Sequence, residues 1–437
     1  MKRPVRWFAL LTLLVVFTVT ACGGTGGGES QPSPGGPVSG QISLMVFGEP
    51  EEIKAYRALI DGFKGVEPSV TVNLIETSDR EDLIARLSTG FAAGTPPDLF
   101  LLNYRFYGQF AARGVLEPLQ GYLDASGEFE EGDFYPQAIE AFKFDGLQTC
   151  MPQNISSLVV YYNKSLFSEA GIDEPAAGWT WDDMREAAHS LTRDLDRDGE
   201  IDQWGVGVEP SIIRIAPFVW SNGGNVVDNE QKPTRLTLDT PEALEAMQQF
   251  FDLRQVDLVS PGEEEVESED IETRFLNGTL GMLLESRRAT PTLRTITDFD
   301  WDVAPLPRHA EPAGILHSDA YCLTRASNNK AAAWRFVEFA LGPQGAPLVA
   351  ETGRTVPSLR SVAESEAFLD PTAKPANSRV FLDTIPVIRR VPTISTWPEI
   401  EDASAGILET AFFEGLDAED AARQLNEQTR EIFARAE

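Results

Sequence analysis

Basic residues are scarce in this chain. Against 68 aspartates and glutamates it has only 36 lysines and arginines, a formal net charge of −32 over 437 residues. A surface of that sign repels nucleic-acid phosphates and anionic headgroups, which argues against a nucleic-acid partner. It does not name a ligand, because a local basic site can sit inside an acidic protein. Histidine is rarer still, with only His189, His309 and His317. There is no H-E-x-x-H, no lysine-bearing phosphate loop and no G-x-S-x-G, so the zinc-peptidase, nucleotide-hydrolase and serine-hydrolase signatures are all missing. A glycosidase needs only two carboxylates, which so acidic a chain supplies freely. No segment points to one, however, and no enzymatic activity is expected. The apolar run Trp7–Val19 falls short of the roughly 20 residues that a membrane-spanning helix needs.

That short run has the layout of an export signal. Lys2, Arg3 and Arg6 precede it, and Thr20, Ala21 and Cys22 close it. The segment resembles a bacterial lipoprotein signal. Residues 1–21 are then the leader, and Cys22 is the acylated first residue of an extracytoplasmic protein held at the cell membrane. Two or three acyl chains on that cysteine are expected, since a single chain binds membranes only modestly. Residues 22–40 are almost wholly Gly, Pro and Ser after the cysteine and read as a flexible tether. Outside the cytoplasm the other two cysteines, Cys150 and Cys322, either pair as a disulfide or stay apart as buried thiols.

The body from Gln41 onward alternates between two periodicities. Ile42–Phe47, Val70–Leu74 and Asp98–Leu102 read as strands, and residues 50–64, 80–92 and 104–113 as amphipathic helices between and after them. Strand–helix–strand succession implies a mostly parallel sheet. Further strands are expected at Ser157–Tyr162, Gly281–Leu284 and Ala320–Thr324. Helices are expected at Trp181–Thr192 behind an N-cap at Thr180, from Thr240 toward Arg254, at Lys330–Leu341 and over 418–436. The acidic run 263–270 reads as a solvated loop and helix start.

Six segments in order carry a family resemblance: GTPPDLF from Gly94, GVLEPL from Gly114, LVVYYNKSLF from Leu158, WTWDD from Trp179, FLNGTLGM from Phe275, and the apolar helix after Asn328. Together, behind a lipoprotein signal, they resemble the extracellular solute-binding proteins of ABC transporters, in the carbohydrate group that includes maltose-binding protein. The resemblance implies an α/β fold of two lobes, each a mostly parallel sheet flanked by helices. Crossing hinge strands near Asn154–Ser157, Leu284–Ser286 and Leu316–Tyr321 would join them. The first lobe would comprise 41–154 and 286–319, and the second 155–285 and 320–437. A sugar or sugar-like solute would bind between the lobes of a monomer that hands it to the permease.

The resemblance also implies a set of cleft residues. Gly48 and Glu49 follow the first strand, and Asn103, Tyr104 and Arg105 the third. Asn154 and Ser156 sit at a crossing, and Glu209 and Trp220 come from the second lobe. Arg287 follows an apolar strand, Asp319 and Tyr321 stand at another crossing, and Trp397 would offer a stacking face. The arginines keep an anionic solute, such as a polyol phosphate, as the alternative ligand. Finally, Asp194, Asp196, Asp198 and Asp202, with the Glu200 carbonyl, supply oxygens at the spacing of the first part of a calcium loop; its closing glutamate is missing, and a shorter loop would close through Asp202 and Gln203. A structural calcium ion is therefore expected there, against the plainer reading of an acidic turn.

Overall fold

A computed structural model of the chain describes residues 38–48 and 50–436. The expected leader, Cys22, most of the tether and Glu49 lie outside the described residues. Among the described residues no helix is long and apolar enough to cross a membrane.

Two sheets organise the molecule. The first contains β1 (Gly40–Phe47), β2 (Val70–Thr77) and β3 (Leu99–Asn103) in the order β2, β1, β3, followed by Asp319–Leu323 and Cys150–Pro152. β1 lies parallel to both β2 and β3, as helical connections through α1 (Pro50–Val66) and α2 (Arg80–Ala93) require. The alternation along β1 supplies two faces. Ile42, Leu44 and Val46 pack with Tyr56, Leu59 and Phe63 of α1, while Met45 packs with Leu83 and Leu87 of α2.

The second sheet runs Trp301–Ala304, Val159–Asn163, Leu280–Glu285, Trp204–Gly207. Its first two pairings are antiparallel and only the last is parallel. Asp319–Leu323 is likewise antiparallel to both its neighbours in the first sheet. The expectation of two mostly parallel sheets therefore needs correction. Hydrophobic patterning shows that a strand is buried, but not which way it runs beside its neighbour.

Local signals read from the sequence are realised closely. Thr180 caps the helix Trp181–Leu191, its hydroxyl accepting from Asp183 N at 3.2 Å while the Asp183 carboxylate accepts from Thr180 N at 2.7 Å. The apolar helix is Lys330–Leu341, and the last one is Ala418–Ala434.

The division into lobes differs from expectation. Trp301–Ala304 joins the second sheet, so residues 286–316 belong to the second lobe rather than the first. Asp319–Leu323 joins the first sheet, and Lys330–Leu341 packs on it through Phe336 and Val337. The start of 320–437 is therefore first-lobe structure. Each strand is apolar enough for either sheet, and only pairing decides between them. The chain also crosses at 354–358, not at Leu284–Ser286. Three segments lie side by side there. Ile155 N donates to Val356 O at 2.9 Å, and Ser156 and His317 exchange two backbone hydrogen bonds of 2.8 Å. Beside this junction Cys150 and Cys322 face each other across adjacent strands and form a disulfide.

Candidate functional site

The carboxyl ends of β1, β2 and β3 open onto one space between the lobes, where α/β sheets commonly hold ligands. Gly48 leaves β1 with φ +157°, and a Cβ there would stand 2.3 Å from the Glu52 carboxylate. Glycine is thus required so that α1 can bring Glu52 inward. Glu52 is buried, ion-paired with Arg354 at 2.5 Å and hydrogen-bonded by Tyr56 at 3.1 Å. Arg80 opens α2 and lies over the rings of Phe47 and Phe106, 5.2 and 5.8 Å from their centroids. Asn103 ends β3 and caps the helix Tyr104–Ala111 (α3) by accepting from Arg105 N at 3.2 Å, while its Nδ2 donates to Asp319 at 3.0 Å.

The hinge forms the back wall. Asn154 Nδ2 donates to the other Asp319 oxygen at 3.2 Å, and Asp319 N donates to Asn154 Oδ1 at 3.0 Å. Asp319 is thereby fixed by one asparagine from the first lobe and one from the crossing. Ser156 and His317 complete this wall. Burial pushes the His317 imidazole down to about 3, and nearby Arg214 reinforces the shift, so the ring is neutral at physiological pH.

The second lobe contributes a charged cluster. Arg214, on the helix Ile212–Ser221, holds Glu285 at 2.6 Å and Glu209 at 2.9 Å, and Arg288 holds the same Glu285 oxygen at 2.8 Å. Burial alone would raise the Glu285 carboxyl, but Arg214 and Arg288 outweigh it and hold the group well below the carboxylate range. Ser286 and Arg288 face the cavity from this side, and Arg354, Thr355 and Val356 from the third crossing. The room left is about 70 Å³, against some 300 Å³ for a small ligand pocket. A solute therefore needs the lobes to part before it enters, by a hinge motion at the three crossings.

Of the residues expected at the cleft, Asn103, Asn154, Ser156 and Asp319 line this cavity. Gly48 borders it through Glu52, and Glu209 stands half-exposed beside Arg214. Arg105 is partly buried and occupied by Glu401 in an ion pair.

The others are corrected. Tyr104 and Trp220 are core residues, the latter covered by Arg389 at 4.8 Å. Tyr321 is buried under the first sheet, where its hydroxyl accepts from Gln153 at 2.8 Å. Trp397 is fully buried, and its Nε1 donates to Glu401 at 2.7 Å. It supports the Glu401–Arg105 pair and offers no open stacking face. Arg287 points away from the cleft, bonded to Gly353 O at 2.6 Å between the rings of Phe368 and Phe381. Its neighbour Arg288 takes the cleft position, because the strand Leu280–Glu285 gives way there to a short 3₁₀ turn. Glu52, Arg80 and Arg354 were missed. Glu52 and Arg80 each sit within a few residues of a strand end, a signal that could have found them, whereas Arg354 lies in a loop without pattern.

The acidic loop partly assembles. Carboxylate oxygens of Asp194, Asp196 and Asp202 come within 4.8 Å of one another on the outer face of the second lobe. Asp198 stands outside that group, its carboxylate accepting from Glu200 N at 2.9 Å. Gln203 is turned inward, its side chain donating to Leu191 O at 2.6 Å, which corrects its placement as a metal ligand.

Comparison with known proteins agrees with this architecture. A protein of Brucella abortus, described only as a binding protein, is 27% identical over 359 residues, covering 80% of this chain and 82% of its own. The sn-glycerol-3-phosphate-binding periplasmic protein of Agrobacterium fabrum is 27% identical over 203 residues, 45% of each chain. An ABC substrate-binding protein of Listeria monocytogenes, solved with cycloalternan, superposes with a TM-score of 0.82 at 25% identity, covering 91% of this chain and 99% of that one. The family model of the bacterial extracellular solute-binding proteins matches residues 48–347. With its two lobes, its three crossings and a polar cleft between them, the chain belongs to the bacterial extracellular solute-binding proteins.

Proposed function

We propose that this chain captures a small polyhydroxylated solute in the interlobe cleft and passes it to the permease of an ABC transporter, without chemical turnover. The observation that carries this reading is Asp319. Two asparagine amides orient its carboxylate at the hinge, so an entering hydroxyl can donate to it. Ser286 and Arg288 of the second lobe line the same cavity, so a solute held by Asp319 meets both lobes and favours their closure. The Listeria relative was solved with cycloalternan, and the Agrobacterium relative is described as binding sn-glycerol-3-phosphate. The burial of Trp220 and Trp397 favours a compact solute over a long oligosaccharide, which needs exposed aromatic faces.

The reading includes an anchor at Cys22, which would keep the protein beside its permease, and a monomeric state. It also includes a calcium ion on Asp194, Asp196 and Asp202, whose mutual repulsion a divalent cation would relieve. Thermal melts against mono- and disaccharides, polyol phosphates and calcium test these statements. A rise in Tm with one compact solute and no product on prolonged incubation is the expected result. Product formation would sink the binding-protein reading. A melt unmoved by a chelator and by added calcium would remove the ion.

A further inference from the structure

Five arginines stand around the cleft, and four of them are spoken for. Arg354 has Glu52, Arg105 has Glu401, Arg214 has Glu209 and Glu285, and Arg288 has Glu285 and Glu272. Arg80 is the exception. Among the described residues it forms no ion pair and no hydrogen bond, and its Nε is sealed from solvent with no partner. Two aromatic rings are its neighbours, and its open side lines the cavity.

The acceptors tell the complementary story. Among the described residues, each carboxylate around the cavity already has a cation or hydrogen-bond donor beside it. Glu52 has Tyr56 and Arg354, Asp319 has Asn103 and Asn154, Glu285 has two arginines and Ser286 N, and Glu401 has Arg105 and Trp397. Burial and Arg105 oppose the Arg80 charge, while Asp319, Glu81 and Glu401 lie close enough to favour it without pairing with it. Burial disfavours the Arg80 charge, and among the described residues no carboxylate pairs with it, an arrangement that costs the fold stability; His317 Nε2, on the same cavity, is also buried without a partner.

We infer that Arg80 is the anion-recognition residue of this cleft, and that the solute carries a carboxylate or phosphate group beside the hydroxyls that face Asp319. The inference rests on the cleft reading above and narrows its ligand class. The planar fork of an arginine suits either anion, binding two oxygens at once. The neutral His317 ring adds a hydrogen-bonding group without a competing charge.

The test compares wild type with Arg80→Gln and Arg80→Lys. The probes are D-galactose, D-galacturonate, D-galactose 6-phosphate and inorganic phosphate, with binding followed by Tm and by calorimetry. For wild type, an acidic probe should bind at least tenfold more tightly than galactose, and less tightly as ionic strength rises. The galacturonate and phosphate arms separate the two anion types. Arg80→Gln should lose that preference and, without ligand, melt no lower than wild type, because it removes an uncompensated charge. Arg80→Lys should keep part of the preference, and it serves as the folded control. Equal affinity for galactose and its acids, unchanged in Arg80→Gln, would overturn the inference while leaving the cleft reading intact. Failure of all four probes with every variant would overturn both.

Discussion

Arg214 and Glu285 form a two-pronged ion pair inside the second lobe, with Nη2 2.6 Å from one carboxylate oxygen and Nη1 3.3 Å from the other. One residue rides on the helix Ile212–Ser221 and the other ends a central strand, so the pair locks helix to sheet directly behind the cleft. Both side chains are almost completely buried.

Breaking that pair should be costly. Glu285→Gln leaves Arg214 with only the half-exposed Glu209, and the expected loss is about 3–5 kcal/mol in urea denaturation at pH 7. The folded pKa of Glu285 lies below its ordinary value of 4.5. Its stabilisation is therefore present above that value and lost as pH falls below it. The variant should lose less stability than wild type between pH 5 and 3. A loss at pH 7 under about 1 kcal/mol, the range of a surface pair, would contradict the burial argument.

His317 predicts a second, separate pH effect. It is pushed to about 3 from an ordinary 6.5, so the unfolded chain takes up this proton first as the pH drops. Stability from the neutral ring is complete above 6.5 and declines as pH falls toward 3, by at most about 1.4 kcal/mol per unit. Burial also lowers His309, so the slope between pH 6 and 5 carries both rings, and the comparison with a His317 variant separates them. His317→Gln should flatten the stability curve in that interval, and an unchanged slope would refute the assignment.

Asp319 is the group expected to read solute hydroxyls. Asp319→Asn should weaken the best-binding solute by roughly 10- to 150-fold, the equivalent of about 1.5–3 kcal/mol for a hydrogen bond to a charged group. Its unliganded melt should also fall by a few degrees, because the new amide leaves an acceptor oxygen for only one of Asn103 and Asn154, so affinity is read on the folded protein well below that melt. Undiminished affinity in calorimetry would remove Asp319 from the site.

The disulfide between Cys150 and Cys322 closes a span of 172 residues. Loop entropy of that length is worth roughly 2–5 kcal/mol. The double variant Cys150→Ser, Cys322→Ser should melt several degrees lower than wild type, and reducing agent should lower the wild-type melt alone. Identical melts for the two proteins would show that the crosslink contributes nothing.

How far the sequence could be read follows from which forces are local. Thr180 with Asp183, and the apolar stripe of Lys330–Leu341, announced their helices because capping and amphipathicity act within one or two turns. Asn103, Asn154 and Asp319 were legible through the family resemblance, whose motifs mark the segments that meet the cleft. Trp220, Trp397 and Tyr321 were misread for the opposite reason. An aromatic can serve a core or a ligand with equal chemical fitness, and only neighbours such as Arg389, Glu401 and Gln153 reveal which.

The amino-acid order by itself determined the acidic surface, the succession of strands and helices, and membership of a two-lobed binding family. All of these rest on composition, periodicity and short motifs. Tertiary structure alone decided the rest. It sent Trp301–Ala304 to the second sheet and Asp319–Leu323 to the first, joined Cys150 to Cys322 and, among the described residues, matched each cleft arginine but one with a carboxylate. Those outcomes depend on pairings between residues tens to hundreds of positions apart. Nothing in the local pattern encodes such a pairing, because a charge or a strand looks the same before its partner arrives.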